Sequence, residues 1–312
     1  MKFLIIGATS FIGPYVLEKI LPAFPGQEDI VTCLVRTGAD KEKLAKLEDL
    51  ALSHSRKINF ITGNLFSSDS IYNCIKEMGR TDLPDCLVYL VDLKNTPFII
   101  NLLSAVSKTG IRRAVFVSST SVFVPFESEV KKAKLQSENL IRDFAGHDGF
   151  DYTILRPTMI YGCSDDRNYS KMLNFIKKRG FFVMFGNGLN LIQPVFIEDV
   201  AGAVAAVIRS NNTFNKIYTL CGKEPIKYRD MLLTVKSLVR NPFKIIRLPL
   251  LACKLLVAAY SKIFPKSNLK PDMIERMQVD KAYSYETAQK DFGFSPIPFR
   301  QGIEVLIRKM DL

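Results

Sequence analysis

Histidine is nearly absent from this chain: its 312 residues include only His54 and His147. The six cysteines, Cys33, Cys74, Cys86, Cys163, Cys221 and Cys253, form no C-x-x-C pair and no ligand-like spacing. Together these shortages argue against a zinc centre, which needs clustered thiolates and imidazoles. Cys33 and Cys86 fall in the apolar runs 32–35 and 85–88, so they read as buried free thiols. A reducing cytoplasm is the expected compartment. No stretch reaches the roughly 18–20 apolar residues that a membrane span requires. The first apolar run stops at once in a glycine-bearing turn, unlike the apolar core of a secretory leader. Internal repeats and low-complexity tracts are also missing. The net charge is +12, yet the basic residues are scattered and no aromatic-interleaved basic motif accompanies them. The charge therefore points to anionic small molecules, and no nucleic-acid partner is expected.

What is present is a regular alternation. Short apolar runs at 2–6, 30–36, 57–61, 86–90, 114–118 and 152–155 read as strands. Between them, 11–21, 41–50, 68–78, 96–109 and 127–144 carry helical periodicity. Strands that are continuously apolar and separated by helices predict a parallel, doubly wound α/β sheet covered on both faces. This is a Rossmann-type arrangement, expected over residues 1–160, with later segments near 190–220 returning to it. After Arg156 the rhythm changes to short strands (181–185, 216–220) among helices (168–178, 198–208, 228–239). A smaller C-terminal α/β substrate lobe is expected over 161–312. Phe181–Phe185 reads as a buried strand of that lobe.

The chemistry begins at the first strand-to-helix turn, Gly7-Ala-Thr-Ser-Phe-Ile-Gly13. A glycine-rich turn after a buried strand lets the backbone approach a pyrophosphate, which then rests at a helix N-terminus. Gly7 permits the turn, Gly13 permits close packing of helix on strand, and Ser10 stands where a middle glycine is usual. At the end of the second strand, where an acid would bond a ribose 2′-hydroxyl, the chain has Arg36, with Lys41 and Lys43 nearby. An arginine there suits a 2′-phosphate. The expected cofactor is NADP(H), with NAD(H) the alternative.

These motifs resemble the extended and atypical short-chain dehydrogenase/reductases, in particular the NAD-dependent epimerase/dehydratase family that acts on nucleotide sugars. The resemblance covers nearly the whole chain. Residues 7–13 are similar to the family's G-A-T-G-F-I-G, 63–65 to its G-D-L, and 89–91 to the segment lining the ribose. Residues 117–123 resemble the strand that carries the catalytic Ser/Thr, and 155–162 the L-R-P-x-x-I-Y-G beside the nicotinamide. Residues 193–200 resemble the segment leading into the next helix, and 292–296 with Gly302 the C-terminal G-F-x-P…G. The resemblance implies dinucleotide contacts at Gly7, Thr9, Ser10, Phe11, Ile12, Gly13, Arg36, Asn64, Leu65, Leu90, Pro157 and Met159. It implies a small-molecule substrate, a nucleotide sugar or related carbonyl or hydroxyl compound.

The resemblance also implies that Ser119 is the catalytic Ser/Thr and Lys134 the lysine of Y-x-x-x-K, which holds the ribose. The tyrosine is missing: its position is Val130, which can neither give nor take a proton. Three accounts stand open. Another group, such as Tyr161, Tyr169, Lys134 or a water on Ser119, supplies the proton to an active oxidoreductase or epimerase. Or the chain binds cofactor without turnover, as a structural or regulatory protein; the accessory subunits of respiratory complex I resemble it in the short loop after strand five and at 274–277. Or a tyrosine enters from elsewhere. The remaining features read as follows. Asp165 and Asp166 form a solvated loop, His54 and His147 are surface residues, and Arg156 is either a core ion-pair residue or a substrate contact. The apolar stretch 249–260, with basic flanks, packs as a helix or touches a membrane surface. A homodimer would use the helices at 96–109 and 127–144.

Overall fold

A computed structural model describes residues 1–24, 26, 29–79, 83–166, 168–253, 257, 260 and 278–312. These divide into two compact units. Unit 1 comprises 1–158, 197–220 and 285–295; unit 2 comprises 159–196, 221–284 and 296–312.

Unit 1 is built on seven parallel strands: β1 (Lys2–Ile6), β2 (Ile30–Val35), β3 (Ile58–Thr62), β4 (Cys86–Tyr89), β5 (Arg113–Val117), β6 (Asp151–Pro157) and β11 (Lys216–Leu220). Their order is β11-β6-β5-β4-β1-β2-β3, all neighbours parallel. The chain reverses direction across the sheet between β1 and β4, the switch point where such folds take ligands. β1, β4 and β5 are buried almost throughout, as strands covered on both faces must be. The layers are helices α1 (Gly13–Ala23), α2 (Lys41–Ser53), α3 (Ser68–Glu77), α4 (Thr96–Val106), α5 (Glu129–Asp148), α7 (Ile197–Arg209) and α9 (Glu286–Phe292).

Local chemistry sets the helix ends. Helix α1 starts two residues later than periodicity suggested, because Ser10 and Gly13 donate backbone hydrogen bonds within the turn and Pro14 fixes the first helical position. Asp40, Ser67 and Ser128 cap α2, α3 and α5 through their side chains. Gly149, at φ +62°, lets α5 end in a left-handed turn, four residues beyond the expected stop. Conversely α4 stops at Val106, where the hydroxyls of Ser107 and Thr109 turn back onto Ser104 and Val106 carbonyls.

Unit 2 has its own core. Helices α6 (Tyr169–Arg179), α8 (Tyr228–Leu238) and α10 (Phe299–Lys309) pack around Tyr161, Tyr169, Leu173, Phe196, Leu232 and Ile303. Three two-stranded pairs accompany them: β7 (Ile160–Tyr161) with β10 (Val195–Phe196), β8 (Phe181–Phe185) with β13 (Lys244–Leu248), and β9 (Leu191–Ile192) with β12 (Ile226–Lys227). The expectation of a buried strand at Phe181–Phe185 is corrected: only Met184 is buried, and the strand belongs to a two-stranded ribbon with β13 and not to the large sheet. No described helix is long and apolar enough to cross a membrane. Residues 254–256, 258 and 259 of the stretch 249–260, and all of 274–277, lie outside the described residues.

Candidate functional site

The carboxyl ends of β1 to β6 gather most of the residues singled out by sequence. At β1 the chain leaves Ile6 through Gly7, whose φ of +93° a side chain would resist. A Cβ on Gly7 would also press within 3.2 Å of the Leu90 carbonyl carbon, so the turn lies against the end of β4. Gly13 is more constrained: a Cβ there would sit 1.9 Å from the Ala8 carbonyl oxygen. No larger residue fits without moving helix from strand. Ser10 Oγ is buried and has no hydrogen-bond partner among the described residues. Such an orphaned hydroxyl, in a turn only glycine can make, before the N-terminus of α1, is what a phosphate would satisfy. Thr9 is half-buried, Ile12 is buried in the core and Phe11 is 39% exposed. These residues fit a dinucleotide pyrophosphate.

Beyond β2, Arg36 is exposed, and no described group bonds or pairs with its side chain. Its acidic neighbour Asp40 is already committed to capping α2. After β3, Asn64 accepts the Phe66 N–H in a tight turn, and the Leu65 carbonyl accepts from Asn101. Leu90 is buried, its N–H bonded to the Ile6 carbonyl. Pro157 ends β6 and its carbonyl accepts from Thr120 Oγ1. Met159 belongs to unit 2 and is treated with it below.

A polar cluster lies between β5 and α5. Ser118 and Ser119 follow the last residue of β5, and Lys134 and Glu138 stand one turn apart on α5. Residues four apart share a helix face, so the two pairs meet. Lys134 Nζ donates to Ser119 Oγ at 3.0 Å and pairs with Asp92 Oδ1 at 3.0 Å. Ser118 donates to Glu138, which also receives Arg156 Nε at 3.2 Å on each oxygen. Glu138 is 1% exposed. The question left open at Arg156 is thereby answered: it is an ion-pair residue, with its guanidinium 4.9 Å over the Phe123 ring. Two further bonds position α5. Ser137 donates to the Leu93 carbonyl at 2.7 Å, and Thr96 to the Ala133 carbonyl at 3.1 Å. Both tie the helix to the segment that carries Asp92. Burial works against the Asp92 carboxylate, but the charge and hydrogen bond of Lys134, with the Lys94 N–H, hold it below the usual carboxylate range.

Ser119 Oγ accepts from Lys134 and from the Ser121 N–H, and lies 2.6 Å from Ser121 Oγ. Both its lone pairs are thus engaged, so its own proton is directed at Ser121 Oγ and has to leave that bond before it is given. Val130 is on α5 and 46% exposed. The match of 3–221 to the family model described as "NAD dependent epimerase/dehydratase family" covers most of the chain. The chain belongs to that family. It is 25% identical over 270 residues to subunit 9 of the NADH dehydrogenase [ubiquinone] 1 alpha subcomplex, mitochondrial, of Arabidopsis thaliana, covering 81% of this chain and 62% of the plant protein. It is 22% identical over 264 residues to the N-acetyl-alpha-D-glucosaminyl-diphospho-ditrans,octacis-undecaprenol 4-epimerase of Escherichia coli O157:H7, covering 79% and 75%. The chain therefore spans about three fifths of the first relative's length and three quarters of the second's. In structure it is similar to the UDP-glucuronic acid 4-epimerase of Bacillus cereus solved with NAD: TM-score 0.72, 16% identity, covering 100% of this chain and 99% of that one. The UDP-glucose 4-epimerase of Thermotoga maritima aligns with TM-score 0.74 at 15% identity, covering 100% and 99%. Both likenesses confirm the fold.

Several readings from the sequence of this family member are corrected. Asp166 is not solvated: it is 4% exposed and its Oδ1 accepts from the N–H groups of Asn168 and Ser170 at the start of α6. Tyr161 and Tyr169 are core residues of unit 2 and poorly suited to give a proton. Tyr161 is fully buried, with its hydroxyl on the Phe299 carbonyl. Burial pushes the Tyr169 phenol far up. His54 is half-buried at the C-cap of α2 rather than exposed. All six cysteines are free and buried, as their apolar surroundings suggested, and burial pushes the Cys33, Cys86 and Cys221 thiols up to about 12. Sequence reasoning missed Asp92 and Glu138. The signal for Glu138 was its four-residue spacing from Lys134; Asp92 carried none, being one acid after a strand end.

Proposed function

We propose that unit 1 binds NADP(H), with NAD(H) as the alternative, and that the protein is an NAD(P)-dependent oxidoreductase or epimerase/dehydratase without the family's tyrosine. The substrate is a nucleotide sugar or a related carbonyl or hydroxyl compound. The observation that carries this reading is Lys134 Nζ held 3.0 Å from both Ser119 Oγ and Asp92 Oδ1. The cofactor supplies hydride exchange at nicotinamide C4. Gly7, Ser10 and Gly13 offer the pyrophosphate cradle, and Arg36 offers a free guanidinium to a 2′-phosphate. Asn64, Leu65, Leu90 and Pro157 line the same strand ends. Lys134, fixed by Asp92, offers N–H donors to ribose hydroxyls. Ser119 turns its proton from Ser121 to the substrate oxygen and recovers one from the Lys134 ammonium, which regains its proton from solvent, in place of the step a tyrosine would perform. The proposed reading also includes a cytoplasmic homodimer paired through α4 and α5.

Val130 favours a second reading. An exposed valine on α5 at the tyrosine position suits a non-catalytic dinucleotide-binding protein, as the likeness to a respiratory-complex subunit also suggests. One experiment separates the two readings. The purified protein, loaded with NADPH or NADH, is mixed with a panel of nucleotide sugars and carbonyl compounds while nicotinamide absorbance is followed. Turnover that falls at least tenfold in Ser119→Ala supports the enzyme. Bound cofactor that stays unreacted across the panel refutes it.

A further inference from the structure

Unit 2 contains a cavity of about 300 Å³, at the small end of ligand pockets. Its wall is dominated by Met159, Met172, Met231, Phe182, Phe185 and Ile192. Three thioethers and two phenyl rings make an adaptable apolar surface, suited to an irregular hydrocarbon body. The polar groups are few: the amides of Asn168, Asn190 and Gln278, the phenols of Tyr169 and Tyr228 and, among the described residues, a single cation, Lys281. A pyrophosphate placed here would bring at least two negative charges to one ammonium, and charged ligands in apolar walls need matched partners. The titratable groups on the wall show how dry it is. Burial lowers Lys281 toward its neutral form, raises Tyr228 to about 12 and raises Tyr169 well above its usual value. All three shifts favour the uncharged species, as a low-dielectric wall does.

We propose that this unit 2 cavity binds an apolar, uncharged, ring-bearing or branched molecule with one or two carbonyl or hydroxyl oxygens, and not a nucleoside diphosphate. The methionines and phenylalanines hold the hydrocarbon body, while the Asn190 and Gln278 amides address an oxygen. The assignment rests on the enzyme reading above and narrows its substrate to the carbonyl or hydroxyl compounds, setting the nucleotide sugars aside. Binding can be measured without turnover, so the two stand or fall separately.

The test uses the full chain, with and without bound NADPH, and the probe 6-propionyl-2-dimethylaminonaphthalene, an uncharged aromatic ketone whose emission moves to the blue in apolar surroundings. A saturable blue shift at one probe per chain is expected. Phe185→Asp should weaken it by at least about tenfold, since a carboxylate in an apolar pocket costs more than 1.4 kcal/mol. Met159→Asp provides the second variant, because Met159 is 38% exposed and its replacement spares the core; the same weakening is expected. Probe bound without NADPH oxidation supports the cavity assignment while counting against the enzyme. Displacement of the probe by millimolar UDP-glucose, equal binding by both variants, or no saturable shift at all overturns the assignment.

Discussion

Replacing Glu138 by alanine tests whether the buried charge pair between α5 and β6 organises the site. Glu138 is 1% exposed and receives three hydrogen bonds from Arg156 and one from Ser118. Its removal leaves the Arg156 guanidinium, 16% exposed, without an anion. Removing one member of a fully buried pair costs about 3–5 kcal/mol; with some solvent reaching Arg156, about 2–4 kcal/mol is expected. In a cooperative unit of this size each kcal/mol lowers Tm by roughly 2–4 °C, so a drop of about 4–16 °C should follow. Scanning calorimetry of wild type, Glu138→Ala, Glu138→Met, Arg156→Met and Glu138→Met/Arg156→Met gives the answer, the last three closing a cycle with wild type. The double variant should recover most of the loss, since an apolar pair of similar volume replaces charge without leaving an orphan. A Glu138→Ala Tm within about 2 °C of wild type would refute the reasoning. So would a double variant whose loss equals the sum of the singles.

Three further outcomes are expected. Arg36→Ala should weaken NADPH about tenfold, the worth of one lost charge-assisted contact, and NADH less than about twofold; isothermal titration showing equal losses would end the NADP assignment. Lys134→Ala should weaken both dinucleotides about tenfold or more, through lost hydrogen bonds to ribose, and unchanged affinity would place Lys134 away from the cofactor. The depressed Asp92 carboxyl makes the third: its stabilising pairing is complete above the unfolded carboxylate value and is lost as pH falls through the lower folded value. Because Asp92 is 44% exposed, Asp92→Asn should remove less than about 1 kcal/mol near neutral pH and flatten the loss of Tm below about pH 4. An unchanged acid limb would contradict the pairing.

The sheet was readable because β1, β2, β4 and β5 are short, mostly apolar runs, as two-sided burial demands; the edge strand β3 has no buried residue and carries Asn59 among its apolar ones. The glycine turn after β1 was readable for a related reason: Gly7 and Gly13 answer steric demands that no other residue meets. Helix ends were less so, since Ser128 starts α5 two residues late and Gly149 carries it four residues on, by capping rather than by periodicity. Asp166 reads as a solvated loop acid, yet it folds under the first turn of α6, and no local pattern separates the two. Phe181–Phe185 is apolar enough for a sheet centre but lies in a two-stranded ribbon, where topology and not composition decides burial. The partnership of Asp92 with Lys134 joins residues 42 positions apart in sequence, so only the folded chain reveals it.

Helix α5 spaces the site as a ruler does. Lys134 and Glu138 reach Ser119 and Ser118 because four residues nearly complete a turn. One residue inserted or deleted between them would swing one side chain by about 100° around the axis. Ser119 would then lose its ammonium, or Arg156 its anion, although every element remained helical. Substitutions along this turn are therefore tolerable where length changes are not. A homologue with an indel between 134 and 138 would have to rebuild both pairs at once or forgo the chemistry.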